Sequence, residues 1–322
     1  MQLFSDAEAI LPFIFKIQNL FCPVLCFYLL RKLRWPDGIQ CVKCKSKCIA
    51  KDGHHGTDNN RQRYKCECGC RFDDFTGTLF EGSHHGITVW FAVLYLMGLN
   101  RSNLEISIEL DLHKDVVYDM VTAVRGKVCE NKPAPILKGI VEADEVYIVA
   151  GHKGNPEEVA KQGREGRRNR LKGARGRGTL EKEKPPVLGI IERGGEVAIC
   201  MLPNVQIKTI EPIIRSRVEP GSIFNTDEYC IYDRLTEWGY DHKTVCHAKG
   251  EYARDDDGDG FHEVHVNTME GFWCLLRSWL RPHHGISQEK LPLYLGFFEF
   301  VHNVRRRGKR LLPALLGLLL GA

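Results

Sequence analysis

The sequence is short of long apolar runs. Near its start the longest uncharged stretch, residues 17–30, has 14 residues and contains Pro23, whereas a membrane-spanning helix needs roughly 20. The apolar stretch 311–322 is as short. Both read as packing or partner-facing helices, and no membrane association is expected. No basic region leading into a cleavage-site pattern is present, so a secretory signal is not expected. No internal repeat is visible. Charge of either sign is not in large excess: 45 Lys+Arg against 41 Asp+Glu give +4, too little to assign a nucleic-acid partner from bulk charge alone. With 43% hydrophobic and 27% charged residues, wholesale disorder is also excluded.

Cysteine, by contrast, is plentiful and unevenly placed. Of 13 cysteines, six (Cys41, Cys44, Cys48, Cys66, Cys68 and Cys70) fall within residues 41–70. An odd count clustered without a secretory signal favours metal binding in a reducing compartment over disulfides. Cys41 and Cys44 have the Cys-x-x-Cys spacing that turns two thiolates onto one Zn²⁺. A second pair is expected about 20 residues on. Cys66 with Cys68 is the choice by position, Cys66 with Cys70 stays open, and Cys48, His54 and His55 are spare ligands. Such a four-thiolate Zn²⁺ site would be structural, and metal binding would largely drive folding of so small a module.

At 322 residues the chain suits two or three domains. An N-terminal helical segment, 1–38, ends at Trp35-Pro36-Asp37-Gly38, where Pro and Asp-Gly force a turn. The zinc ribbon is placed at 39–82. Residues 83–135 look helical; the apolar runs 103–110 and 115–128, split by Asp111-Leu112-His113-Lys114, read as a helix-turn-helix or as a plain helical hairpin. From 136 to 305 strand-like runs (139–147, 186–192, 196–202, 222–226, 243–246) alternate with helix-like ones (207–218, 229–238, the run opening at Glu270, and 291–302), a mixed α/β order. A basic insertion at 152–186 interrupts this domain. Its segment 164–177 holds seven Lys/Arg against one acid. Arg167, Arg168 and Arg170 are candidates for DNA phosphate contacts, which position a duplex without reading its sequence; the alternative is a solvated surface loop. The apolar tail is 306–322.

Three acids far apart fall where a metal-dependent nuclease needs them. Asp144 lies in a strand-like run, Asp227 follows another, and Glu270 opens an amphipathic helix. Three carboxylates converging alone would repel and raise at least one pKa. A pair of hard cations, Mg²⁺ or Mn²⁺, removes that conflict: one lowers the pKa of an attacking water, the other steadies the leaving 3′ oxygen. Glu142 shares a strand face with Asp144 and competes for the role, as do Glu145 and Glu228 by adjacency. Arg277, seven residues after Glu270, shares its helix face and could hold phosphate. His242, His247 and His265 could orient water or phosphate, or be satisfied hydrogen-bonding residues. The acidic run 255–260 begins like a calcium loop, but its twelfth position is Val266 rather than Glu, so it reads as an acidic turn.

Several blocks occur in an order that resembles the bacterial insertion-sequence transposases of the ISXO-like DDE group, relatives of the eukaryotic Merlin elements. They are Arg34-Trp35-Pro36-Asp37-Gly38 before the first cysteine pair, Arg71-Phe72 leading to Thr76-Gly77-Thr78-Leu79-Phe80-Glu81, Val141 to Tyr147, Thr226-Asp227-Glu228-Tyr229, His242-x-x-Val245-x-His247, and His265-x-Asn267-Thr268-x-Glu270-Gly271-Phe272-Trp273. The resemblance spans about residues 30–305. It implies an RNase H-like catalytic domain with a mixed sheet and a DDE triad of Asp144, Asp227 and Glu270, with Asn267 and Arg277 as auxiliary residues. It also implies metal-dependent cleavage and strand transfer at transposon ends. The partners would be DNA, both ends and target, and a second copy of the chain in a homodimer or higher oligomer. The location would be cytoplasmic in a bacterium and nuclear in a eukaryote. Two departures stand out: the second cysteine pair is one residue short, and the block Phe298-Glu299-Phe300-Val301-His302-Asn303 lacks a usual arginine. They keep open a catalytically inactive DNA-binding regulator; a structure-specific nuclease is a third reading.

Overall fold

The computed structural model describes residues 22–161, 163 and 177–320. Arg167, Arg168 and Arg170 lie outside the described residues, as does most of the expected first helix. The chain forms two compact units, residues 1–132 with 309–322, and residues 133–308. Among the described residues no helix is long and apolar enough to cross a membrane.

The first unit starts with helix α1 (Pro23–Arg34), with Pro at its first turn and Arg31, Lys32 and Arg34 at its last, the arrangement the helix dipole favours. A three-stranded antiparallel sheet follows: β1 (Ile49–His55), β2 (Asp58–Cys66) and β3 (Arg71–Asp73). Its small core is Trp35, Tyr64 and Phe72, packed edge-on and tilted. Phe27 of α1 stacks on Phe75 just beyond β3, and a buried charge adds to this fastening. Asp74, fully buried, takes Arg31 at 2.6 and 2.9 Å, the Gln62 N–H at 2.6 Å and the Tyr64 hydroxyl at 3.2 Å. With every lone pair engaged, the pair escapes the cost of an unpartnered buried ion.

Helices α2 (Ile87–Gly98), α3 (Asn103–Glu109) and α4 (Lys114–Asn131) complete this unit with α9 (Leu311–Leu320). A capping box between Ser102 and Glu105 starts α3, and Asp111 in the left-handed region turns the chain into α4. The apolar tail docks here: Asn131 donates to the Leu318 carbonyl at 3.2 Å, and Leu315, Leu316 and Leu319 are buried.

The second unit is built on a mixed five-stranded sheet in the order β6-β5-β4-β7-β8. Strands β4 (Ile140–Tyr147), β5 (Pro186–Glu192) and β6 (Val197–Met201) form an antiparallel meander, while β7 (Ile223–Thr226) and β8 (Asp241–Thr244) run parallel to β4. This is the mixed sheet expected of an RNase H-like domain. Alternation along β4 decides what each face sees. Val141 and Ala143 point into a core shared with Ile210 and Ile214 of helix α6 (Ile207–Arg217), whereas Val146 joins Met269, Phe272 and Trp273 of α7 (Asn267–Leu280) on the other side. Helix α8 (Leu291–Arg306) closes the sheet edge. Its buried Glu299 accepts the Ile199 N–H at 3.0 Å, and Asn303 bonds both the N–H and C=O of Val197 at 2.9 Å. The backbone groups of β6 are thus taken by side chains instead of being left as a pairing edge.

Two sequence expectations need correction. Residues 229–238 do not form an α-helix but successive tight turns, with Tyr232, Leu235 and Trp238 each bonding three residues back and one 3₁₀ turn at Cys230–Tyr232. The buried positions Ile231, Leu235 and Trp238 mimic helical spacing. The strand expected at 243–246 lies two residues earlier, because parallel pairing with β7 sets Ile223 against Asp241.

Candidate active site

The cysteine cluster is the clearer of two sites. The sulfurs of Cys41, Cys44, Cys66 and Cys68 all lie within 4.8 Å of one another. Cys41 and Cys68 are 3.7 Å apart and Cys44 and Cys66 3.6 Å, close to the ~3.8 Å edge of a tetrahedron with ~2.3 Å metal–sulfur arms. Two backbone turns create this: Lys45, in the left-handed region, bonds back to Cys41 O, and Gly69, also left-handed, bonds to Cys66 O. The backbone N–H of Cys44 holds the Cys41 thiol down to about 6, which favours the thiolate a metal requires. Cys70 stays outside the set and reaches the Arg71 carbonyl at 3.9 Å. The short spacing of Cys66 and Cys68 is therefore no obstacle, and four thiols with this geometry fit Zn²⁺.

The carboxylates occupy the second unit. Glu142 on β4 pairs with Asn225 on parallel β7, the last pair of that ladder; two residues further on, Asp144 lies within β4 and Asp227 just past the carboxyl end of β7. Neighbouring strands are about 4.8 Å apart. Helix α7 brings the third acid. It rests on the sheet at Gly189, the residue paired with Asp144 on β5, where a Cβ would come within 2.3 Å of Met269 Cε and 2.4 Å of Trp273. Only a bare backbone lets the helix lie this close. Trp273 then donates its indole N–H to Asp144 Oδ2 at 3.0 Å, and the Glu145 N–H reaches Oδ1 at 2.7 Å. Glu270, in the first turn of α7, is exposed.

Burial pushes the Asp144 carboxyl up to about 6, with Asp227 and Glu270 adding like-charge repulsion. Asp227 is raised too, chiefly by burial, although the Tyr229 N–H at 3.1 Å opposes the shift. Asp144 thus feels the charge of both other acids, but the three are not among the described groups whose ligand atoms all lie within 4.8 Å. Hard carboxylate oxygens are of the type that a divalent cation such as Mg²⁺ or Mn²⁺ takes.

The competing acids are otherwise employed. Glu142 is fully buried against Arg193. Glu145 points through the opposite sheet face to the Tyr232 hydroxyl, and burial raises it to about 8. Glu228 caps the turn at His247–Lys249 through the N–H groups of His247 and Ala248. Of the histidines, His247 lies 4.0 Å from Glu270 Oε1 and within electrostatic reach of Asp227. His242 bonds Thr226 Oγ1 at 2.9 Å, and His265 Nδ1 sits 3.2 Å from buried Glu142, away from the exposed mouth. Asn267 and Arg277 are exposed on α7. Arg177, passed over in the sequence as the end of a basic run, stacks on Tyr229 at 3.6 Å and draws the pKa of Asp227 down. Asp255, Asp257 and Glu263 also gather their oxygens within 4.8 Å, in an exposed turn closed by backbone N–H bonds to Asp255.

A family model described as the ISXO2-like transposase domain matches residues 136–303. The chain belongs to the ISXO2-like transposase family. A relative, the uncharacterized protein in transposable element ISH50 of Halobacterium salinarum, is 33% identical over 293 residues, 89% of this chain and 94% of its own length. An uncharacterized transposase-like protein of Haemophilus influenzae is 32% identical over 108 residues, 34% of this chain and 81% of its own length. Among solved structures, a simian T-cell lymphotropic virus intasome in complex with PP2A regulatory subunit B56 gamma overlaps 64% of this chain and 67% of its own at 11% identity, with a TM-score of 0.27. A likeness that slight supports no conclusion about this transposase.

Proposed function

We propose that this transposase cleaves DNA at the ends of its element and transfers the freed strand to target DNA, with Asp144, Asp227 and Glu270 as the metal-binding triad. The observation that carries the reading is the parallel pairing of β4 with β7, which brings Asp144 on β4 and Asp227 just past β7 toward the same end of the ladder, with the Glu270 helix fastened to Asp144 through Trp273. Asp144, Asp227 and Glu270 would hold Mg²⁺ or Mn²⁺, which would supply Lewis acidity toward a water or 3′-hydroxyl nucleophile and the departing 3′ oxygen.

The protein's own share is placement and charge. Asp144 projects from within β4 and Asp227 from the residue after β7, where little freedom is lost on binding. His247, beside Glu270 and Asp227, is placed to accept a hydrogen bond from the nucleophile or to hold it in line. Arg177 and Arg277 bring positive charge toward the site and would neutralise phosphates of the bound strand. In the other unit the Cys41–Cys44–Cys66–Cys68 cluster would bind structural Zn²⁺, and α3 with α4 would supply a helical DNA contact. Joining two ends calls for at least two copies of the chain.

The test uses a supercoiled plasmid carrying the element with its flanking sequence. Wild-type protein with Mn²⁺ is expected to nick at the element ends, and Asp144→Asn to bind the same DNA without nicking. Nicking that survives in the purified variant would refute the triad. Binding without nicking by the wild type would favour a regulator that keeps the fold. If about six phosphates are contacted, affinity should fall roughly a thousandfold between 50 and 200 mM salt.

A further inference from the structure

Glu142 is an odd residue for a strand centre: an acid with a fully buried side chain, two positions before Asp144 on the same face of β4. Its oxygens are all engaged. Arg193 Nε donates to Oε1 at 2.6 Å, Thr268 Oγ1 donates to Oε1 at 2.8 Å, and the Met269 backbone N–H donates to Oε2 at 2.9 Å. Arg193 in turn grips the carbonyls of Glu263 and His265 at 2.5 and 3.0 Å, just ahead of the helix. No capping side chain comes from α7's own N-cap, Val266. One free N–H of its first turn, that of Met269, is met instead by a carboxylate from the strand.

We infer that Glu142, held by Arg193, is a positioning residue that fixes Glu270 relative to Asp144. The inference rests on the triad proposed above. One strand carries both a proposed ligand, Asp144, and the anchor of the helix bearing another, two residues and roughly 7 Å apart. Met269, whose N–H is bonded to Glu142, directly precedes Glu270. The separation of the two carboxylates is therefore set inside one strand and one helical turn, independent of the exposed segment 255–262 that leads toward the helix. Trp273 fastens the same helix to Asp144 one turn later, so α7 is held at two points on one strand. Glu142 itself is not placed as a ligand, because both its oxygens accept hydrogen bonds within the fold and its side chain is fully buried.

The full-length protein is assayed for Mn²⁺-dependent plasmid nicking, Mn²⁺ binding by electron paramagnetic resonance, DNA affinity and thermal unfolding. The variants are Glu142→Gln, which keeps shape but loses charge, and Thr268→Val, which removes one donor at the partly exposed end of the bracket. Asp144→Asn corrects for Mn²⁺ bound elsewhere. Glu142→Gln is expected to raise the half-saturating Mn²⁺ concentration and lower the maximal nicking rate about 10- to 100-fold, the range for partners of metal ligands. DNA affinity should stay within about twofold, since the groups that would touch phosphate are not in the bracket. Thr268→Val should shift the same two quantities several-fold in the same direction. A purely structural bracket would lower melting temperature without moving Mn²⁺ affinity in the folded fraction. If Glu142→Gln does not fold, Thr268→Val decides alone. Wild-type nicking together with a wild-type Mn²⁺ response in the folded variants overturns the inference and leaves the triad standing; wild-type protein with neither Mn²⁺ binding nor nicking overturns both.

Discussion

Trp273 donates its indole N–H to Asp144 Oδ2 at 3.0 Å. A helix residue thereby orients a strand carboxylate whose other oxygen accepts the Glu145 N–H. Trp273→Phe keeps most of the apolar body and deletes the donor. Asp144 would then lose one of the two bonds that favour its ionised form. Nicking should fall by roughly 10-fold or more, with DNA binding retained. Equal nicking rates for the variant and wild type at saturating Mn²⁺ would show that the bond has no part in the reaction.

Gly189 faces Asp144 across the β4–β5 ladder, and its missing side chain is the space occupied by Met269 and Trp273. Gly189→Ala puts a carbon within 2.4 Å of both side chains, so helix α7 must lift or tilt. Overpacking of this kind costs about 1–3 kcal/mol. In calorimetry the variant should melt several degrees lower, and activity should drop more than stability because Glu270 rides on the displaced helix. A melting temperature within a degree of wild type would mean that the helix yields without cost.

Much of this arrangement is legible in the sequence, and the failures have physical causes. Alternation places Asp144 on a strand, and the apolar spacing from Met269 to Leu276 places Glu270 at a helix start, because burial dictates both periods. The two cysteine pairs show themselves through spacing alone. The division of labour among the acids does not. Glu142 and Asp144 are both acids on one strand face, and what separates them is Arg193, 51 residues beyond Glu142 and folded back over the sheet. Gly189 reads as a weak strand position until the helix above it is known. Residues 229–238 carry helical spacing in a chain that makes tight turns instead, where the buried Tyr232 hydroxyl is committed to Glu145.

The thiol geometry separates Cys68 from Cys70. Cys68 lies within the four-sulfur set and Cys70 outside it. Cys70→Ser should retain one equivalent of zinc per chain by elemental analysis, whereas Cys68→Ser should lose it and unfold the ribbon. Chelator treatment of wild type should reproduce the Cys68→Ser circular dichroism change in the first unit. Zinc retained by Cys68→Ser and lost by Cys70→Ser would reverse the ligand assignment.

Glu145 makes stability depend on pH in an unusual direction. Its ordinary carboxyl value of 4.5 rises to about 8 in the fold, first because it is buried, and further because Asp144 and Asp227 are negative. Between those two pH values the folded chain binds a proton that the unfolded chain has lost, so stability falls as pH rises. The contribution is complete below pH 4.5 and gone above about 8. Glu145→Gln keeps an acceptor for the Tyr232 hydroxyl and cannot ionise. With no added Mg²⁺ or Mn²⁺, the variant should match wild type near the lower limit. Above the upper limit it should be more stable by an amount on the order of 1 kcal/mol or more. Thermal melts across this range decide it: a wild-type curve parallel to that of Glu145→Gln at every pH would show that the carboxyl ionises in the fold as freely as it does in water.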